Sequence, residues 1–354
     1  MMRRIETAPW GGVMMSRNKF RKAGFWRRAS RGFALATLAL GLTVGGCESL
    51  RAPAGTDTAA ADEPRGPAWQ GTYRVDYGGR PVIGVMVNGR GPFDFVVDTA
   101  ATKSAVFRNL ADQLDLETSP TSTRVFSLVG VQQRPTARLD RIALAGASRS
   151  DFQVVVFEDW TDLPETPQGV LGLDVLARYV VEFDVQQRRL TLHYPSASPD
   201  FEERGWPQTA IFATDFGLSG PPLFQAPGRL ASYRFPMLID TGSELSLINP
   251  VLMDRLLTPN VVYDITARAT RFADALEEST EVYRMPYAGL VTGGIGWGDG
   301  VFYATSARIF RDLEVADRMY GLLGFDILGR RSMAIDFPGR VMYASPVTPP
   351  SAAK

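Results

Sequence analysis

The sequence predicts an all-β protein of two similar lobes related by a pseudo-twofold axis, with a cleft between them. Three observations carry this. The segments are short, β-branched and punctuated by turns; two motifs each occur twice in the same order; and the motifs are separated by nearly the same length in both copies. Typical strands are RPVIGVMVNGRGPFDFVVD (80–98), with an Asn-Gly turn at 88–89, and DFQVVVFED (151–159). Helical periodicity is scarce, and only LADQLDL (110–116) and DVLARY (174–179) read as short helices. GGIGWGDG (293–300) lacks the Lys-Ser/Thr of a phosphate-binding loop and reads as a hairpin turn.

The repeat defines the lobes. FDFVVDTAATKSAVF (93–107) parallels FPMLIDTGSELSLIN (235–249): an apolar strand, Asp-Thr-small, then apolar residues again. GVLGLDVLARYVVEFDVQQRRLTL (169–192) parallels GLLGFDILGRRSMAIDFPGRVMY (321–343). Asp98 to Gly172 spans 74 residues and Asp240 to Gly324 spans 84. The lobes are therefore placed at 67–200 and 201–347. Two copies of one lobe associate as homodimers do, about a twofold axis, so equivalent residues near that axis meet. Asp240, a carboxylate on an apolar strand, then has a natural partner in Asp98. The chain is expected to be a monomer that is an internal pseudo-dimer; the alternative is that each lobe pairs with its counterpart in a second molecule.

Ahead of the lobes, residues 1–47 hold nine Lys or Arg and one acid, Glu6, and lead into the uncharged GFALATLALGLTVGGC (32–47). A basic region, a short apolar core and small residues read as a secretory signal over 1–46, with Met14 or Met15 as a candidate start. The apolar core is short for a transmembrane span. VGGC resembles the bacterial lipobox, which implies acylation of Cys47 and a mature N-terminus there; a plain signal peptide with an incidental Cys is the alternative. Residues 47–66 are rich in Ala, Pro, Gly, Thr and acids, the composition of a flexible tether. Residues 348–354 read as a disordered tail. The resulting expectation is a lipoprotein of the bacterial cell envelope facing the periplasm, with Glu48 leaving the choice of membrane open. Of 38 basic and 38 acidic residues, the processed chain keeps 29 and 37, a net charge of about −8. That sign is a poor match for nucleic acid.

Residue inventory then removes most catalytic strategies. The single histidine, His193, excludes a two-histidine zinc site and reads as an ordinary strand side chain in RLTLHYP. The single cysteine, Cys47, is committed to the leader. A Ser-Lys dyad would need Lys103, because Lys354 is terminal and Lys19 and Lys22 lie in the leader. No metal site and no cofactor are expected, and carboxylates are the leading candidates for chemistry. Two carboxylates side by side share one proton over a wide pH range. The ionised member takes a proton from a water while the protonated member polarises a carbonyl oxygen. The hydroxyls of Thr99 and Thr241 are placed to hydrogen-bond across the axis, and Gly242 to permit a tight turn.

Asp-Thr-Gly at 240–242, its apolar context and the later Leu-Leu-Gly at 322–324 resemble the aspartic peptidase signature. GVLGLD and GLLGFD are similar to the retropepsin-like branch, and the resemblance covers 80–345. It implies two acid-protease-type β-barrel lobes, Asp98 and Asp240 as the catalytic dyad, and Thr99 and Thr241 interlocked beneath it. It also implies Leu171-Gly172 and Leu323-Gly324 packed behind the loops, and hairpin flaps over an extended peptide substrate. RVFSLVGVQQRPTARL (124–139), with Gly130 near its tip, is the first candidate flap, and ITARATRFADALEESTEVYRM (265–285) the second. Asp174, Asp184, Asp326 and Asp336 read as helix caps and strand-end hydrogen-bonders. The departure is Ala100 where the pattern has Gly, a cost of roughly 1 kcal/mol if the turn needs positive φ. It either tilts Asp98 or is tolerated. Two functions follow: an aspartic endopeptidase of envelope proteins, or a degenerate pseudo-peptidase that keeps the cleft as a peptide-binding surface.

Overall fold

In the computed structural model, the described residues are 66–127, 130–159, 166–257, 270–273 and 279–346. The leader, Cys47, the tether up to residue 65, the tail and most of 258–278 lie outside them. The strand Arg90–Val97 shows how the local sequence sets the architecture. It begins at an Asn-Gly turn in which Asn88 and Gly89 both take positive φ, 49° and 75°, as a tight primed turn requires. It ends in Phe95, Val96 and Val97, all buried, because by then the strand is inside a sheet with both faces covered.

The described strands form two eight-stranded sheets with the same order. In the first, the sequence across the sheet is Arg74–Val75, Pro81–Val87, Arg90–Val97, Gly169–Leu171, Ala105–Phe107, Ala147–Phe157, Val131–Leu144 and Thr118–Phe126. In the second it is Phe212–Thr214, Leu223–Leu230, Tyr233–Ile239, Gly321–Leu323, Leu247–Ile248, Ile295–Ala304, Ser279–Thr292 and Thr270–Ala273. In both sheets the strand ending at an Asp pairs in parallel with the apolar-Leu strand: Val97 opposite Leu171, Ile239 opposite Leu323. That pairing carries the site, because each Asp follows directly and donates its backbone N–H to the same leucine carbonyl. Both hydrogen bonds, Asp98 to Leu171 and Asp240 to Leu323, measure 3.0 Å.

A third sheet takes strands from both halves of the chain. Its order is Trp69–Thr72, Arg189–His193, Val180–Asp184, Met333–Asp336, Val341–Ala344 and Gln208–Ala210. The junction is the antiparallel pairing of Val180–Phe183 with Met333–Asp336. Beside it Tyr73, Phe183 and Phe325 form an aromatic cluster with centroid separations of 5.7 to 6.4 Å. Phe325 follows Gly324, so the cluster ties the backing of the second Asp loop to the first half. His193 is a buried strand side chain bonded to Glu182 at 2.7 Å, and Arg204 reaches the same carboxylate at 3.1 Å. Burial opposes the charge on Glu182, but His193 and then Arg204 outweigh it and hold its pKa below the ordinary value.

Helices are short, as expected. Arg108–Gln113 and Leu173–Leu176 overlap the two helical segments read from the sequence. The 293–300 segment has its turn at Gly293-Gly294, leading into the strand Ile295–Ala304. The 124–139 hairpin pairs Phe126 with Val131, and Ser127 and Gly130 close its turn with a 2.8 Å bond. The corresponding strands in the other half, Thr270–Ala273 and Ser279–Thr292, also pair, and the residues between them lie outside the described set. Asp184 and Asp336 are hydrogen-bonders at strand ends, accepting from Gln187 N–H at 3.1 Å and Gly339 N–H at 2.7 Å.

Phe183→Ala empties a fully buried site at the junction of the two halves. It is expected to cost about 3–5 kcal/mol in urea unfolding. Far-ultraviolet circular dichroism and tryptophan fluorescence should still report one coincident transition, since the shared sheet couples both halves.

Candidate active site

Asp98 and Asp240 leave their strands into matching loops that contact each other through their threonines. Thr99 Oγ1 donates to the Ile239 carbonyl at 2.8 Å and accepts from Thr241 N–H at 3.0 Å. Thr241 Oγ1 donates to the Val97 carbonyl at 2.7 Å and accepts from Thr99 N–H at 3.2 Å. Both threonines are fully buried, so each hydroxyl spends its donor and an acceptor lone pair on the opposite loop. The loops are thereby fixed relative to one another immediately beneath the two carboxyl groups.

Glycine fits at 242 for a reason other than a tight turn. Gly242 does not have positive φ. A Cβ there would lie 2.3 Å from Asp98 Cγ and 2.4 Å from its Oδ2, so the backbone two residues past Asp240 packs straight against the Asp98 carboxyl. Ala100 also lacks positive φ, so the strain feared for a Cβ at that position is absent. Its N–H donates to Asp98 Oδ1 at 2.8 Å, joined by Ala101 N–H at 2.9 Å. Asp98 is held rather than tilted, which removes the sequence-based motive for a degenerate site. Gly172 and Gly324 back the two loops. A Cβ at Gly172 would meet the Ala101 carbonyl oxygen at 2.7 Å, and one at Gly324 the Leu245 carbonyl oxygen at 2.6 Å.

Asp98 and Asp240 are half-buried as residues, their carboxyls sit deep among protein atoms, and Oδ1 of Asp240 is fully buried. Their environments differ. Burial raises the pKa of Asp98, while the Ala100 and Ala101 N–H bonds and the Arg80 charge pull it back. Asp240 is raised well above the ordinary value by burial and then by the Asp98 charge beside it. The backbone N–H groups of Ser243 and Gly242 ease that shift, and among the described residues Oδ1 of Asp240 has no hydrogen-bond partner. The two N–H bonds that Asp98 Oδ1 accepts favour the anion on that member of the pair.

Asp174 and Asp326 are not side-chain helix caps. The short helices begin at Gly172 and Gly324 without side-chain capping bonds, and the two carboxylates turn inward instead. Asp174 accepts from Ser104 Oγ at 2.6 Å, and Ser104 Oγ accepts from Gly172 N–H at 3.0 Å. Asp326 accepts from Ser246 Oγ at 2.6 Å, and Ser246 Oγ accepts from Gly324 N–H at 2.9 Å. Each pair pins the Leu-Gly segment to the far end of its Asp loop. Sequence reasoning missed both serines, although each stands six residues after its Asp in the two copies. It also missed Arg80, Asp76 and Glu244, which gather beside the dyad and have no equivalent in the repeat. Gly130, at the first hairpin turn, faces the other half: a Cβ there would lie 3.6 Å from Arg308 Cδ.

Residues 83–175, which include Asp98, Thr99 and Gly172, match the model of a family described as aspartyl protease. Among solved structures, a retropepsin-like aspartic protease from Rickettsia conorii is similar at 19% identity. It covers 35% of this chain and 90% of its own, with a TM-score of 0.25. No curated protein matches.

A carboxyl whose folded-state pKa lies above its unfolded value stabilises the protein below the unfolded value. That contribution is lost as pH rises through the folded one. Asp240 is such a group, so Asp240→Asn is expected to raise the thermal midpoint at pH 7. The gain should shrink toward pH 4, where wild-type Asp240 is protonated, and differential scanning calorimetry at the two pH values checks both.

Proposed function

We propose that this chain is an aspartic endopeptidase that hydrolyses peptide bonds through Asp98, Asp240 and an activated water. The observation that supports it most directly is the reciprocal Thr99–Thr241 exchange, which fixes the loops of the two carboxyls against one another. The match of residues 83–175 to an aspartyl protease family supports the same reading for the half that carries Asp98. The matching strand orders of the two large sheets support a pseudo-twofold relation between lobes at 67–200 and 201–347.

The chemistry follows from the unequal carboxyls. The Asp98 carboxylate removes a proton from the water as its oxygen bonds to the peptide carbonyl carbon. Asp240 gives its proton to the carbonyl oxygen, forming a neutral gem-diol. Collapse of that intermediate breaks the C–N bond as a proton passes from the now protonated Asp98 to the leaving nitrogen and a gem-diol hydroxyl returns its proton to Asp240, which releases the carboxylic acid and restores the one-proton pair. The substrate is an extended peptide segment of an envelope protein, under hairpins of which 124–139 is the first. The enzyme acts as a monomer anchored to an envelope membrane through lipid on Cys47.

Asp98→Asn and Asp240→Asn are each expected to lower kcat/KM on a quenched fluorescent peptide library at least ~10³-fold with unchanged circular dichroism. Ala100→Gly should stay within a few-fold of wild type, because Asp98 already receives its N–H bonds. Undiminished cleavage by either Asn variant would overturn the assignment. Cys47→Ser is expected to move the protein from the membrane to the soluble fraction and to abolish incorporation of radiolabelled palmitate.

A further inference from the structure

The turn Asp76 to Arg80, which leads into the strand Pro81–Val87, belongs to the first half but lies against the second. The Asp76 side chain is 2% exposed and that of Arg80 15%. Asp76 Oδ1 accepts from Arg80 N–H at 2.9 Å, and Oδ2 accepts from Arg80 Nε at 2.8 Å and Nη2 at 2.5 Å. This is a two-pronged grip that fixes the plane of the guanidinium. Gly78 brings the turn onto its neighbour: a Cβ there would lie 2.6 Å from Glu244 Oε2 and 3.4 Å from Arg80 Nε. Glu244 stands four residues past Asp240, so the clamped cation is delivered to the loop of the second carboxyl.

Among the described residues, the charges that act around Arg80 come from both halves. Asp76 lies on its own turn, Glu244 on the loop after Asp240, and Asp98 and Asp240 at the site. Asp326, behind that loop, acts on Glu244. The turn that precedes the matching strand of the other half is different. There Ser219 accepts from Thr102 Oγ1 at 2.9 Å through its carbonyl, and Gly220 would bring a Cβ within 2.8 Å of the Thr102 carbonyl oxygen. The same inter-half contact is thus made without a cation, so contact alone does not require Arg80.

We propose that Arg80, clamped by Asp76 against the Glu244 loop, is a positioning residue that sets the pH window in which Asp98 and Asp240 share one proton. This rests on reading those two residues as the dyad. A fixed positive charge favours the anionic form of both carboxyls, so both boundaries of the one-proton state move to lower pH in its presence. Removing the cation moves both boundaries up, whereas removing the charge of its clamp moves them down. A clasp that served only to hold the turn would make every substitution weaken the protein in one direction.

The test is a charge series at one place: Arg80→Met, Arg80→Lys and Asp76→Asn in the full chain. It is read by the pH dependence of kcat/KM and by 13C-carboxyl titration of Asp98 and Asp240. Arg80→Met should raise both limbs by about half to one pH unit, Asp76→Asn should lower both, and Arg80→Lys should keep them near wild type. Limbs that do not move, or that move the same way in Arg80→Met and Asp76→Asn, overturn the proposal. If Arg80→Met does not fold, the downward shift in Asp76→Asn and the retained limbs in Arg80→Lys decide it. If no variant or wild type cleaves peptides, the peptidase reading fails. The 13C titration then still decides whether Arg80 governs the pair.

Discussion

Everything in the centre of this molecule depends on keeping two desolvated carboxyls beside one another. Burial and mutual repulsion both oppose ionising the pair, and the fold answers with contacts that cannot be made one at a time. The Thr99–Thr241 exchange is the clearest of these. Each threonine hydroxyl donates to and accepts from the opposite loop, so loss of one hydroxyl strands a buried carbonyl and a buried N–H of the other half. The six-stranded sheet reinforces the same constraint from below, because its central pairing joins Val180–Phe183 to Met333–Asp336. The halves are held together by backbone as well as by the site.

Close approach explains the small residues better than turn chemistry does. Gly242 gives its missing side chain to Asp98, and Gly172 and Gly324 give theirs to carbonyl oxygens of the Asp loops. Ala100 breaks the repeat without breaking the site, because what Asp98 requires at that position is an N–H, and alanine supplies one. The two carboxyls consequently differ in a way a symmetric pair would not. Asp98 Oδ1 receives two backbone hydrogen bonds, while Oδ1 of Asp240 receives none among the described residues.

Much of this was legible in the sequence because repetition carries position as well as composition. The alignment of FDFVVDTAA with FPMLIDTGS placed the carboxyls and the threonines, and the Leu-Gly copies placed the backing strands that pair with them. The alternation of short apolar runs and turns was enough for an all-β architecture. What escaped was of two kinds. Ser104 and Ser246 were visible in the alignment but look like ordinary polar residues until their carboxylate partners are known in space. The clamp of Asp76 and Arg80 on Glu244 spans more than 160 residues of chain and occurs once. No periodicity reports a contact made only by tertiary approach, and the helix-cap reading of Asp174 and Asp326 failed for the same reason.

Carrying both halves in one chain has a physical consequence for the site. In a homodimer any residue near the axis appears twice, so a cation placed to act on one carboxyl is matched by a second acting on the other. Here the two inter-half turns have diverged: one ends in Arg80 under the grip of Asp76, the other in the uncharged Ser219-Gly220. The carboxyl environments have diverged with them, through the Ala100 N–H on one side and, on the other, an Asp240 Oδ1 that has no partner among the described residues. On the proposed reading, this asymmetry fixes which carboxyl begins as base and which as acid. A symmetric dimer leaves that choice to the approach of substrate.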